Sequence, residues 1–135
     1  MNGIDTNVLL RLLLRDDDGQ ARRADAFVER SWSQRAPCLV SHIVLVEAAW
    51  VLQSGYRYRR DQVAGIIDGI LRTETFTVEG AAEVWAALAD YRADDRSQGV
   101  DFADCLIGRT NAALGCERTA TFDKAAAVLV TFQSI

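Results

Sequence analysis

The chain alternates short β-type stretches with helix-length segments, and that alternation restricts the fold more than any other feature. MNGID is a brief opening strand and NVLLRLLLR a helix. DDDG at 16–19 lacks the alternating ligand spacing of a calcium loop and reads as loop and helix start. QARRADAFVERSW continues as an amphipathic helix with Ala21, Ala24, Phe27 and Val28 inward. Pro37 ends it, and PCLVS supplies a second strand. Ser41 then caps HIVLVEAAWVLQ, which Gly55 helps to end. A helix over about 60–72, a strand at 75–79 (TFTVE) and a helix over 80–93 with Val84, Trp85, Leu88 and Tyr91 on one side come next. After the polar RADDRSQG, DFADCLIGRTNAALG is a helix ending at Gly115, CERTATF a strand, DKAAAVL a short helix and VTFQSI a last strand. The pattern predicts an α/β domain with a mainly parallel sheet.

Length and composition narrow the classes. At 135 residues, with one proline and no Gly/Ser tract, residues 1–135 are expected to form a single domain. Hydrophobic residues at 50% and charged ones at 25% give enough apolar surface for a core and argue against disorder. The apolar run VLLRLLL is interrupted by Arg11 and is far too short to span a bilayer, so a cytoplasmic protein without a membrane partner is expected. Cys38, Cys105 and Cys116 form no CxxC pair, which fits buried thiols in a reducing compartment. His42, the only histidine, reads as a helix-start residue, and no GxSxG turn presents a serine to it. The net charge is −4, although every basic residue except Lys124 is arginine, whose planar fork suits phosphate.

Within this frame a set of acids is out of place. Asp5 stands at the front of NVLLRLLLR, Glu47 inside VLVEAAWVL, Asp101 and Asp104 at the start of DFADCLIG, and Asp123 after CERTATF. Between His42 and Gln53, Glu47 is the only ionisable side chain, and it shares a helical face with Ile43 and Trp50. A helix apolar all round is expected to be buried, and an unpaired buried carboxylate is costly. Asp101 can cap a helix beginning at Phe102, which places Asp104 in the first turn, facing the helix dipole. Asp5 and Asp123 can also be helix caps. In open parallel sheets, however, sites lie beyond the carboxyl ends of the strands. Asp5, Ser41 and Asp123 all follow proposed strands, and Glu47 and Asp104 lie in early helical turns that can point back to that edge.

Four such carboxylates do not share a pocket unaided. Two unit charges at about 5 Å, with an effective dielectric near 20, repel by roughly 3 kcal/mol. Several such pairs rival the whole stability of a small domain, on the order of 5–15 kcal/mol. Either protons are taken up or a cation binds. Hard oxygen donors without histidine or thiolate suit Mg²⁺ or Mn²⁺, metals that serve phosphate chemistry.

Taken in order, GIDTNVLLR, the glutamate of VLVEAAWVL, DFADCLIG and TFD resemble PIN-domain ribonucleases, and more narrowly the VapC toxins of bacterial VapBC toxin–antitoxin pairs. The resemblance spans almost the whole chain. It implies a Rossmann-like three-layer α/β/α sandwich around a parallel sheet of about five strands, and an acidic pocket for Mg²⁺ or Mn²⁺. The family's acids fall on Asp5, Glu47, Asp104 and Asp123, which are thereby the expected catalytic and metal-binding residues. Asp101 matches an auxiliary acidic position, and Thr6, Asn7 and Thr121 match small polar positions that support the pocket. The implied activity is metal-dependent endonucleolytic cleavage of RNA, the implied partners are a cognate antitoxin protein and a second copy of the chain. One departure is KAAAVLVTFQSI after Asp123, which is alanine-rich and lacks the family's usual FD-x-D-F-like run.

Two rivals come from other classes. A phosphoaspartyl phosphatase wants a second Asp two residues after the first, where Asn7 stands, and a receiver domain wants paired acids beside its nucleophile. A PIN fold that only docks a partner is the other. Arginines such as Arg11, Arg15 or Arg109 are candidates to clamp flanking phosphates, and the sequence does not choose among them.

Overall fold

The computed structural model describes residues 1–135 and realises the alternation as helices α1 (Thr6–Leu14), α2 (Asp18–Ser33), α3 (His42–Ser54), α4 (Arg60–Arg72), α5 (Ala81–Ala93) and α6 (Phe102–Ala113). The strands are β1 (Asn2–Gly3), β2 (Cys38–Val40), β3 (Phe76–Val78), β4 (Thr119–Thr121) and β5 (Phe132–Ser134), and DKAAAVL contributes a 3-10 turn over Ala126–Val128. The chain divides into two compact units: Met1–Arg59 with Gly69–Glu79, and Arg60–Asp68 with Gly80–Ile135. No helix is long and apolar enough to cross a membrane.

In the first unit, β1, β2 and β3 form a parallel sheet in that order, with Asn2 opposite Cys38 and Val40 opposite Val78. Parallel pairing brings all the carboxyl ends to one edge, and there the chain turns into helices. Asp5 caps α1 by accepting the Val8 N–H at 2.9 Å, Asp17 caps α2 through Gln20, and Ser41 caps α3 through Val44. Leu9 and Leu10 of α1, Ala21, Ala24 and Val28 of α2, and Leu45, Ala48, Ala49 and Leu52 of α3 are buried, as are Cys38 and Val40 of β2. Asn2 Nδ2 donates to Ser31 Oγ at 2.6 Å, tying β1 to α2. Phe27, expected inward, is only half-buried and lines an open cavity instead.

The second unit is built on α5 packed along α6. Val84, Ala87, Leu88 and Tyr91 are buried on α5, and Phe102, Cys105, Leu106 and Gly108 on α6. Trp85, expected to share the inward side, remains partly exposed. The Tyr91 and Phe102 rings meet edge to face with centroids 5.9 Å apart. The Arg60 guanidinium lies 4.0 Å from the Tyr91 ring centroid and donates to the Val100 carbonyl at 2.7 Å and the Tyr91 carbonyl at 3.0 Å. β4 and β5 pair in parallel, Thr119 opposite Phe132. Gly108 admits β5 close to α6: a Cβ there would collide with Thr131 and stand 2.7 Å from the Phe132 ring.

Two expectations change. The parallel sheet of about five strands is hydrogen-bonded as a three-stranded sheet and a separate two-stranded pair. Sequence patterning shows where strands lie, but strands of two or three residues do not show which neighbours they find. Of the three thiols expected to be buried, Cys38 and Cys105 are, while Cys116 is exposed in the turn after α6.

Candidate active site

The site begins with the local rule that placed the acids at element boundaries. At the edge of the first sheet, Asp5 is exposed, and one of its oxygens is committed to the Val8 N–H. Thr6 is buried in the first turn of α1, and exposed Asn7 lines the same open cavity as Asp5. Glu79, which follows β3, stands at the same edge of the sheet: its Oε1 accepts the N–H of His42 at 2.9 Å, and His42 Nδ1 lies 3.8 Å from that oxygen. In the sequence Glu79 reads as the last residue of TFTVE, and it carries the same signal as Asp5, an acid directly after a strand.

Glu47 corrects the first reading most. It is exposed, and so are Ile43 at 78% and Trp50 at 66% on the same face of α3. The helix is apolar on both faces, so composition alone did not reveal which face turns inward; Leu45, Ala48, Ala49 and Leu52 do. The desolvation argument for Glu47 therefore falls, and Glu47 remains a candidate only through the motif resemblance of VLVEAAWVL.

In the second unit the acids are electrostatically coupled. Asp104, in the first turn of α6, has its carboxyl pushed above the ordinary value, first by burial and then by the negative charges of Asp101 and Asp123. Asp101 occupies the position before α6, but its side chain makes no capping bond, which corrects the expected cap. Asp123 Oδ1 accepts the Ala125 N–H at 2.8 Å, and its own N–H donates to Thr121 Oγ1 at 2.9 Å, so Thr121 sets the backbone that presents Asp123. None of these carboxylates forms a salt bridge, in contrast to their neighbours. Arg96 is bound by Asp94, whose carboxyl is held far below the usual range chiefly by that guanidinium.

A raised acid has a consequence for stability. The folded-state pKa of Asp104 lies above its unfolded value, so folding penalises its carboxylate at neutral pH, and the penalty vanishes once pH drops below the ordinary carboxylate range. Asp104→Asn is expected to raise the melting temperature of the metal-free protein near pH 7, with the gain disappearing around pH 3. Melting curves at the two pH values check this, and a variant no more stable than wild type near pH 7 contradicts the repulsion.

The arginines first singled out are already engaged. Arg11 donates to Gln20 at 2.7 Å and Asp16 at 2.9 Å, Arg15 pairs with Asp25, and Arg109 grips Asp90 with two bonds of 2.7 Å. A guanidinium already satisfied by a carboxylate is a poor phosphate clamp. Arg23 and Arg30 line the cavity beside Asp5, and the sequence offers no sign of which arginines lack partners.

As to a metal, the donors are all carboxylate oxygens, with no cationic side chain paired to them, and that chemistry fits a hard dication. Within neither unit do three or more His, Cys, Asp or Glu side chains gather closely enough to hold an ion by themselves.

Comparison with known proteins assigns the fold. Residues 4–129 match the family model described as PIN domain, a stretch containing every acid discussed above. The chain belongs to the PIN domain family. This PIN domain is also 26% identical over 124 residues to the VapC ribonuclease of Aquifex aeolicus (strain VF5), covering 92% of this chain and 88% of that protein. No solved structure matches it. The mixed α/β architecture with parallel strands is that of the family, as the resemblance implied. Membership decides against the phosphatase and receiver readings.

Proposed function

We propose that this PIN domain, residues 1–135 as a single domain, is a VapC-type toxin: an endoribonuclease that hydrolyses RNA phosphodiester bonds with the help of Mg²⁺ or Mn²⁺. The similarity to a VapC ribonuclease over most of both chains supports the class of activity. The observation that carries the metal requirement is Asp104, raised by burial and by two neighbouring acids, with no basic side chain paired to it. A group in that state favours a nearby cation.

Asp5, Glu47, Asp104 and Asp123 are the proposed donors, and Asp101 is an auxiliary acid. A dication, if held by these residues, would lower the pKa of a water and offset charge on the phosphate oxygens. The chain's own residues do the rest. The Val8 N–H fixes one oxygen of Asp5 and leaves the other to face outward. Thr121 holds the turn that presents Asp123. The N-terminus of α6, with Asp101 making no capping bond, offers positive potential toward Asp104. RNA is the substrate class, a cognate antitoxin protein the regulatory partner, a homodimer the working assembly and the cytoplasm its compartment.

The test is cleavage of RNA by the purified chain. Cleavage is expected with Mg²⁺ or Mn²⁺ and is expected to stop on chelation and return on adding metal back. Metal binding without cleavage of any RNA would favour a PIN fold that only docks a partner, and cleavage undiminished by a chelator would overturn the metal requirement.

A further inference from the structure

An open cavity of about 700 Å³ lies between α1 and α2, with Asp5 and Asn7 at one side and Arg23, Phe27 and Arg30 along α2. Gln20, Arg23, Phe27 and Arg30 recur at helical spacing, so they form one face of α2. The cations on that face differ in state. Arg11, across the cavity, is neutralised by Asp16 and held by Gln20. Arg23 and Arg30 are exposed and have no carboxylate partner. Between them stands half-buried Phe27, with the Arg30 guanidinium carbon 6.0 Å from its ring centroid.

We infer that this groove binds the single-stranded RNA beside the scissile bond, with Arg23 and Arg30 on phosphates and Phe27 against a base. The inference rests on the ribonuclease reading above and adds the residues that hold the substrate. Seven residues of helix separate the two arginines by about 10 Å along the axis, which allows each to meet a different phosphate of one strand. Cationic side chains that follow the backbone, interleaved with an aromatic face, are what single-stranded nucleic acid requires. A protein of net charge −4 repels RNA at long range, so binding needs local cations not already neutralised by the protein's own acids. An acidic peptide would also answer the two charges, and the measurements below separate the two occupants.

The experiment measures binding of a fluorescein-labelled single-stranded RNA of mixed sequence in EDTA, by anisotropy across a salt series. Wild type is compared with R23A, R30A and the double variant, and melting curves verify folding; both arginines are exposed on a helix, where alanine is well tolerated. The double variant is expected to bind about tenfold more weakly, with the slope of log affinity against log salt reduced by about 0.7 for each arginine removed. In cleavage assays with metal the loss is expected to fall on KM rather than kcat. Wild type that cleaves RNA, together with a double variant of unchanged affinity and salt slope, overturns this inference and leaves the ribonuclease reading standing. Wild type that neither binds nor cleaves RNA overturns both. A double variant that loses only binding to an acidic peptide assigns the groove to a protein partner and also overturns it.

Discussion

Asp5→Asn is expected to reduce RNA cleavage by about a thousandfold or more while leaving the protein folded. The carboxylate is exposed, and one oxygen is occupied by the Val8 N–H at 2.9 Å. Asparagine keeps an oxygen able to accept that bond, and the two residues are near equals as helix caps, so the stability change is expected to stay within a few tenths of a kcal/mol. What asparagine removes is the negative charge proposed to help hold the dication. Withdrawing several kcal/mol of metal-derived stabilisation corresponds to about three orders of magnitude in rate, since roughly 1.4 kcal/mol is tenfold. Single-turnover cleavage and a melting curve on the same preparation separate the two effects. A folded variant that cuts at the wild-type rate, with contaminating nuclease excluded, removes Asp5 from the site. An unfolded variant would instead show that the cap matters more than its geometry suggests.

The second large effect is on stability. Arg60→Ala takes charged donors from the Val100 and Tyr91 carbonyls and the cation from the Tyr91 ring at once. Val100 and Tyr91 are buried, so the two carbonyls have little access to replacement water. Hydrogen bonds from charged groups contribute about 1.5–3 kcal/mol each, and cation–π contact about 1 kcal/mol more, with incomplete additivity. A loss of about 3 kcal/mol is expected, lowering Tm by on the order of 10 °C. Arg60→Lys keeps a charge but not the fork that reaches both carbonyls, and is expected to fall between alanine and wild type. Because Val100 directly precedes Asp101, loosening this contact also loosens the start of α6, where Asp104 sits. An alanine variant melting within about 2 °C of wild type would show that the two carbonyls find other donors.

Several features of the fold were legible because they are local. Caps at Asp5 and Ser41, the apolar spacing of α1 and the β-branched run of β3 each depend on residues within one or two turns, whereas α2 ends at Ser33, ahead of the break expected at Pro37. The boundary positions of Asp5 and Asp123 belong with them, since an acid that directly follows a strand is a pattern of adjacent residues. Glu79 went unremarked although the same pattern marks it, and its bond to the His42 N–H needed a partner 37 residues away.

By itself, the chain's linear order determined that strands and helices alternate, that Asp5, Asp101, Asp104 and Asp123 stand where strands end or helices begin, and that the set resembles one family from Asp5 to Asp123. Only the tertiary structure decided which face of α3 turns outward, leaving Glu47, Ile43 and Trp50 exposed. It also decided that Arg11, Arg15 and Arg109 are engaged while Arg23 and Arg30 are not, and that five strands pair as three and two. The physical reason is the range of the interactions. Helix capping and periodicity act over a few residues, whereas burial, ion pairing and strand partnering depend on groups far along the chain that only packing brings near.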